Sequence, residues 1–262
     1  GFSGNVERAF LDDDMVRQFE EIGNRVLKLD APNLVRILDY GIADDSSGIR
    51  RPWVVMERLL DGQDLESAAR VLPVKMEEIQ TILEQVCHGL QALHTANLVH
   101  GNLKPRNLYL IRPVGQKQVV VKLLGFGLSR LSALARSTED GGIATPIWMA
   151  PEQSQPAEIL TPSVDVWSLG LLAFYLLTRS HYWIAANQSI ETGGPSALSV
   201  LNEVLAKPLP NASERASAYK AEHRIPEGFD AWFARCVNRQ IERRFPDAAA
   251  ALHGLLSIKF QA

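Results

Sequence analysis

From Asp12 to Leu29 the apolar positions Met15, Phe19, Ile22, Val26 and Leu29 recur at spacings of three and four. That rhythm puts them on one face of a helix. Asp12, Asp13 and Asp14 place negative charge at its start, where the helix dipole favours it. Two β-rich runs follow, Leu34 to Tyr40 and Trp53 to Met56, on either side of a polar Asp-Asp-Ser-Ser-Gly turn. Beyond Glu57 the character changes. Leu59-Leu60-Asp61-Gly62 reads as a connector. Met76 to Ala96 reads as a long helix with Ile79, Ile82, Leu83, Val86, Leu90 and Leu93 on one side. Two short strands, Asn107 to Ile111 and Val119 to Leu124, flank a turn at Gly115. A loop runs to about Met149, and the rest is mostly helical, Val164 to Thr178 being the most apolar helix. The pattern predicts an α+β molecule in two lobes: a small sheet-plus-helix part over 1–57 and a larger helical part over 58–262.

Composition narrows the function classes. The chain has 262 residues and is 46% hydrophobic, enough apolar material for one large domain or two small lobes. The net charge of -3 gives no basic footprint, so no nucleic-acid partner is expected. The longest apolar stretch, Leu169 to Leu177, is too short to span a bilayer, and the first residues lack a signal-peptide pattern. The domain is expected to be soluble, cytoplasmic and without membrane contact. Cys87 and Cys236 belong to no C-x-x-C pair and read as buried free thiols of a reducing compartment.

The chemistry is carried by His100-Gly101-Asn102-Leu103-Lys104-Pro105-Arg106-Asn107. Gly125-Phe126-Gly127 follows, then Thr145-Pro146-Ile147-Trp148-Met149 and Ala150-Pro151-Glu152, then Asp165-Val166-Trp167-Ser168-Leu169-Gly170, and finally Arg244-Phe245-Pro246. Each run alone is weak. Their joint order resembles the protein kinase family: a catalytic loop H-R-D-L-K-P-x-N, a D-F-G loop, an A-P-E turn and a D-x-W-S-x-G helix start. The resemblance covers Gly1 to about Leu256. The Gly228–Phe233 and Arg244–Ala248 runs are most similar to bacterial Ser/Thr kinases of the eukaryotic-like type. It implies a bilobal kinase fold, an α-helix and small sheet in the first lobe, and a buried Glu152–Arg244 pair. It also implies that His100 and Phe126, with Val26 as a third member, form the hydrophobic spine between the lobes. Asp165 would brace the catalytic-loop backbone.

The departures fall on the chemistry. Phosphoryl transfer in this family is positioning and electrostatics. Asn102 stands where an aspartate accepts the substrate proton, and its amide is no useful base near neutral pH. Losing such help costs roughly 10²–10⁴ in rate, or about 3–5 kcal/mol of barrier. Gly125 stands where an aspartate holds the metal ions, and a hard cation needs carboxylate oxygens. Lys104 and Asn107 are retained, but one amide oxygen is a poor metal site, so no metal is expected. Glu139 and Asp140, in the following loop, have no fixed geometry to replace the lost acids. Gly101 replaces the arginine that holds an activation-loop phosphate in many members. A phosphate on Ser129, Ser132, Ser137, Thr138 or Thr145 would have no such reader.

The front of the chain departs further. Gly1, Gly4 and Val6 resemble the second half of a Gly-rich phosphate loop; a flexible start is the other reading. A kinase next needs a strand bearing a lysine. Too few residues separate Ala9 from Phe19 to hold it, and no lysine precedes Lys28. Either the strand is deleted or residues are missing from this interval; the second is expected, since a lost strand leaves a hole in the sheet. Aligning Phe19 and Pro32 with F-x-x-E…H-P puts Ile22 where the glutamate partner of that lysine belongs, and Ala31 before Pro32 in place of histidine. Glu20 and Glu21 point elsewhere at 100° per residue. The adenine side is less altered. Met56 matches the gatekeeper, and Glu57 and Leu59 match the hinge residues whose backbone meets the base. Asp64 reads equally as a ribose ligand or a helix N-cap. Tyr109 lies under the adenine position, packing against a base or filling its space.

The resemblance therefore implies a pseudokinase: a folded scaffold or allosteric regulator that binds an active kinase or another signalling protein. No cofactor is required, with ATP binding without Mg²⁺ and no nucleotide binding both open. The alternative is an atypical ATP-dependent Ser/Thr phosphotransferase with relocated catalytic and metal groups.

Overall fold

The computed structural model describes residues 13–44, 46, 48, 50–71, 74–112, 115, 118–126, 146–155, 160–187 and 197–260. Helix α1 (Asp13–Val26) follows the predicted period. Phe19 and Val26 are buried, while Glu20, Glu21 and Arg25 face outward. It ends before Leu29 because the chain tightens: Lys28 N–H reaches Arg25 C=O at 3.2 Å and Leu29 N–H reaches Val26 C=O at 3.0 Å.

Strands β1 (Ile37–Asp44) and β2 (Arg50–Met56) form an antiparallel pair, with Gly41 opposite Trp53 and a register shift between Ile37 and Asp39. Gly41 is glycine for a reason, since a Cβ there would lie 2.4 Å from the Trp53 ring. Phe19 meets Tyr40 edge-on at 5.5 Å, which seats α1 against β1. The strand expected from Leu34 begins later. Leu34 makes a parallel bridge to Leu123, and Asn33 and Val35 exchange backbone hydrogen bonds with Leu123 at 2.8 and 3.0 Å. Residues 33–35 are thus tied to the second sheet, not to β2.

That second sheet is antiparallel, in the order β3 (Gly62–Asp64), β4 (Leu108–Ile111), β5 (Val120–Leu123). The expected connector at Leu59–Gly62 runs straight into β3 and helix α2 (Leu65–Val71). Helix α3 (Met76–Thr95) buries Ile79, Ile82, Leu83, Val86, Leu90 and Leu93, the predicted face. It packs on helix α4 (Ser163–Thr178), in which every residue except Tyr175 is buried. Helices α5 (Ala197–Leu205), α6 (Ala212–Ser217), α7 (Phe229–Cys236) and α8 (Ala248–Leu255) surround them. Cys87 and Cys236 are buried free thiols, and burial pushes both thiol pKa values up, which keeps them protonated and unreactive. No helix among the described residues is long and apolar enough to cross a membrane.

Candidate catalytic loop and nucleotide cleft

The catalytic loop leaves the end of α3 and is pinned from below by α4. The Asp165 carboxylate accepts from the backbone N–H groups of His100 and Gly101, both at 2.8 Å. His94 completes its environment at 2.9 Å through Nε2. Its other nitrogen, Nδ1, accepts the Ala248 N–H at 3.2 Å. An imidazole that accepts at Nδ1 carries its proton on Nε2, so His94 donates to Asp165 and links the start of α8 to the loop. Gly101 holds φ 67, a left-handed conformation that glycine adopts without strain. Its carbonyl accepts the Gln153 amide at 2.9 Å, and the same side chain accepts from Ala150 N–H at 2.9 Å. One glutamine thereby joins the A-P-E turn to the catalytic loop.

The loop is ordered around its two substituted positions. Asn107 donates from its side chain to Asn102 C=O at 2.7 Å, and Asn102 N–H approaches His100 Nδ1 at 3.3 Å. His100 is fully buried and meets Phe126 edge-on at 6.2 Å between ring centroids. Burial lowers its pKa below the ordinary histidine value, so its ring is neutral. Gly125 has φ 73. A Cβ built there would stand 3.4–3.6 Å from the Asn107 amide, ordinary contact distance. An acid at 125 would thus face Asn107, and here there is only hydrogen. The Asn107 amide nitrogen is already committed to Asn102. Among the described residues no three His, Cys, Asp or Glu side chains cluster as metal ligands. Among the described residues, Asn102, Asn107 and Gly125 do not fit the phosphate-bound metal ion that the family uses.

Below this site the Glu152 carboxylate and the Arg244 guanidinium pair in parallel, at 2.6 and 2.8 Å, both buried. Arg244 also donates to Asn238 C=O at 2.5 Å and Ser163 C=O at 3.2 Å, and lies 5.0 Å from the Trp167 ring centre. A buried charge pair is tolerable only with its remaining donors met, as they are here. Ser168 and Trp183 hold the carbonyls of Trp148 and Ile147 at 2.7 and 2.8 Å, so the turn before Ala150 is fixed by side chains.

On the nucleotide side, Met56 ends β2 and is 43% exposed. Glu57 is tied down: its N–H donates to Arg36 C=O at 2.9 Å, and its carboxylate accepts from Arg36 N–H at 3.0 Å and Lys122 Nζ at 2.9 Å. Burial works against its ionisation, but those donors outweigh it and hold the pKa below the usual glutamate value. Lys122 also reaches Leu34 C=O at 3.1 Å. The hinge contacts expected of a base, Glu57 C=O and Leu59 N–H, are used by no other backbone hydrogen bond among the described residues. Asp64 caps α2: its carboxylate accepts from Ser67 N–H at 2.9 Å and Ser67 Oγ at 2.7 Å. Burial raises its pKa and these bonds lower it further, for a net decrease. Tyr109 extends its hydroxyl to Gly62 C=O at 2.7 Å, so its ring is anchored across β3. A cavity of about 320 Å³ opens beside them, lined by Asp64, Glu66, Ser67 and Arg106, the last two charges pairing at 2.5 Å.

Ile22 packs against the apolar core from α1, with no carboxylate at its position. Helix α1 begins at Asp13, and positions 9–12 lie outside the described residues. Gly1, Gly4, Val6, Gly127, Ser129, Ser132, Ser137, Thr138, Glu139, Asp140 and Thr145 lie outside the described residues. Sequence reasoning passed over His94, Gln153 and Lys122. No motif flags Lys122, and only its pairing with Glu57 across the chain marks it.

Two small antiparallel sheets, a helical body built on α4 and an A-P-E turn locked to Arg244 define a domain of the protein kinase type. The family model for the protein kinase domain matches residues 12–253. The chain belongs to the protein kinase family. It is 30% identical over 244 residues to the serine/threonine-protein kinase Pkn1 of Myxococcus xanthus, covering 92% of this chain and 32% of that protein. It is 32% identical over 240 residues to PknL of Mycobacterium tuberculosis, covering 91% of this chain and 54% of that protein. The chain thus spans about a third to a half of these relatives. A crystal structure of the Mycobacterium tuberculosis PknI kinase domain shares the fold, with a TM-score of 0.65 at 20% identity over 98% of this chain and 86% of that one.

Proposed function

We propose that this chain is a pseudokinase domain, a small lobe over 1–57 and a large lobe over 58–262, that acts by binding a protein and transfers no phosphate. The observation that carries this is the pairing of intact loop geometry with absent chemistry. Asp165, His100 and Asn107 hold the loop in order, while Asn102 and Gly125 supply neither a base nor a metal carboxylate. Ile22 stands where the glutamate of the phosphate-aligning pair belongs, which removes that pair as well. The partner class is an active kinase or another signalling protein in the cytoplasm. Nucleotide, where it binds, does so without Mg²⁺, against Glu57, Leu59 and Tyr109. The retained Lys104 and Asn107 favour the alternative of an atypical phosphotransferase.

Thermal unfolding with ATP, with and without Mg²⁺, separates the two, because a ligand of the folded state raises the melting point by mass action. The expected result is no Mg²⁺-dependent shift in this chain and a new one in the double variant Asn102→Asp, Gly125→Asp. Aspartate tolerates the left-handed backbone at 125 better than most residues. Stoichiometric autophosphorylation of the unaltered chain, abolished by changing Lys104 or Asn107, would overturn the reading.

A further inference from the structure

The backbone around Asn102 is held by side chains. Asp165 on α4 takes the N–H groups of His100 and Gly101, both at 2.8 Å, and Asn107 donates to Asn102 C=O at 2.7 Å. The peptide unit that joins Gly101 to Asn102 is gripped at both of its polar atoms. Its carbonyl accepts the Gln153 amide at 2.9 Å, and its N–H donates to His100 Nδ1 at 3.3 Å. Gly101 stands at φ 67, and a peptide beside a glycine can turn over while the flanking α-carbons stay in place, because glycine accepts either orientation. The two side chains around the peptide therefore decide which way it faces.

Both are polarised to favour the same orientation. Gln153 Oε1 accepts the Ala150 N–H at 2.9 Å, so the end of the amide that faces the loop is the NH2 donor. Burial keeps His100 neutral, and its Nδ1 meets Asn102 as an acceptor. A peptide turned over would set its N–H against the Gln153 NH2 group and its carbonyl against the Nδ1 lone pair. Polar groups left without a partner in a half-buried site are costly. Gln153 lies in the short helical turn Pro151–Ser154, beside Glu152, whose carboxylate is anchored to Arg244 at 2.6 and 2.8 Å. The seat of the A-P-E turn thus sets the glutamine amide, and the amide sets the peptide.

We propose that the 101–102 peptide is a conformational switch and that Gln153 is the positioning residue through which the A-P-E turn controls it. With the turn seated, the Gly101 carbonyl faces Gln153 and the Asn102 N–H faces His100. Displacing the turn releases the peptide to turn over, and Asn102 moves with it. The relay runs from the Ala150 N–H through the Gln153 amide to the Asn102 N–H, and every group in it is neutral. It works without a phosphate or an ion pair, at the very position where Gly101 replaces the family's phosphate-holding arginine. A partner that grips residues 150–153 is thereby felt at position 102. The inference goes beyond the pseudokinase reading and stands apart from it, since the relay is the same whether or not phosphate is transferred.

Hydrogen exchange on the whole chain tests it, read at the Ala150 and Asn102 amides, with buried Leu172 in α4 as the monitor of global opening. Gln153→Glu keeps an acceptor for the Ala150 N–H and removes the donor to Gly101. The expected result is about tenfold faster exchange at Asn102 with Ala150 and Leu172 unchanged. Gly101→Ala disfavours the left-handed backbone, and about tenfold faster exchange is expected at Ala150, whose own partner is Gln153. The double variant is expected to accelerate Asn102 by less than the product of the single effects, because both changes break one hydrogen bond. Unchanged exchange at Asn102 in the first variant, or at Ala150 in the second, overturns the proposal. So does a fully multiplicative double variant. Equal acceleration at Leu172 in both single variants reduces the contacts to ordinary packing and overturns it as well.

Discussion

Helix α4 and the β1–β2 pair are opposites. In α4 every residue but Tyr175 is buried. In β1 and β2 no residue is buried at all. The difference maps onto function. The catalytic-loop backbone hangs from α4 through Asp165, and the A-P-E turn hangs beside it through Glu152, Arg244 and Ser168. The adenine side, where β2 ends at Met56, is built on the thinly packed pair. The more deeply buried element of the two is the one from which the catalytic loop hangs.

That contrast can be broken from its strong side first. Replacing Arg244 with Met strands the buried Glu152 carboxylate, and urea unfolding is expected to register a loss of about 3–5 kcal/mol. Asp165→Asn is next. It removes the charge behind the hydrogen bonds to His100, Gly101 and His94, and the expected loss is about 1.5–3 kcal/mol, with faster amide exchange at His100 and Gly101. Acid provides the third probe. Burial lowers the pKa of both His100 and His181, so the folded state keeps them neutral. Below about pH 6.5 the unfolded chain takes up protons that the folded chain does not. Stability is therefore full above that pH and falls as pH drops toward the depressed folded values, by up to about 1.4 kcal/mol per pH unit for each histidine. Melting curves from pH 7.5 down to 5 check the sign. The smallest effect is expected from Trp53→Thr in β2, within about 0.5 kcal/mol. A loss there as large as at Arg244 would end the contrast.

Much of this was legible in the sequence. The motifs from His100 to Arg244 fixed the family, and the apolar periods placed α1, α3 and α4. Boundaries slipped where backbone pairing overrode pattern. Leu34 carries the apolar signal of the first strand, yet it bridges to Leu123 and the strand starts at Ile37. Gly62-Gln63-Asp64 has no β-forming residue and becomes a strand only because Leu110 and Tyr109 lie alongside. The alternative readings of Asp64 met geometry only in the structure, in its bonds to Ser67. Gln153 and His94 were invisible for a simpler reason. A glutamine or histidine near a motif has no spacing rule, and their roles exist only in three-dimensional neighbours.

The knot at Glu57 has a mechanical consequence. A hinge works when a few residues absorb rotation while their neighbours stay free. Here the Glu57 carboxylate grips the Arg36 backbone and Lys122, and Lys122 grips Leu34 in turn. Asn33 adds bonds to Val121 C=O and to Gln85 on α3, both at 3.0 Å. The chain segments at 33–36, 57 and 119–123 therefore turn as one piece. Any rocking that moves residue 57 away from β5 has to shear an ion pair and several hydrogen bonds together. The joint is a splice, and a load applied at residue 57 is carried to β5 and α3 rather than taken up between them.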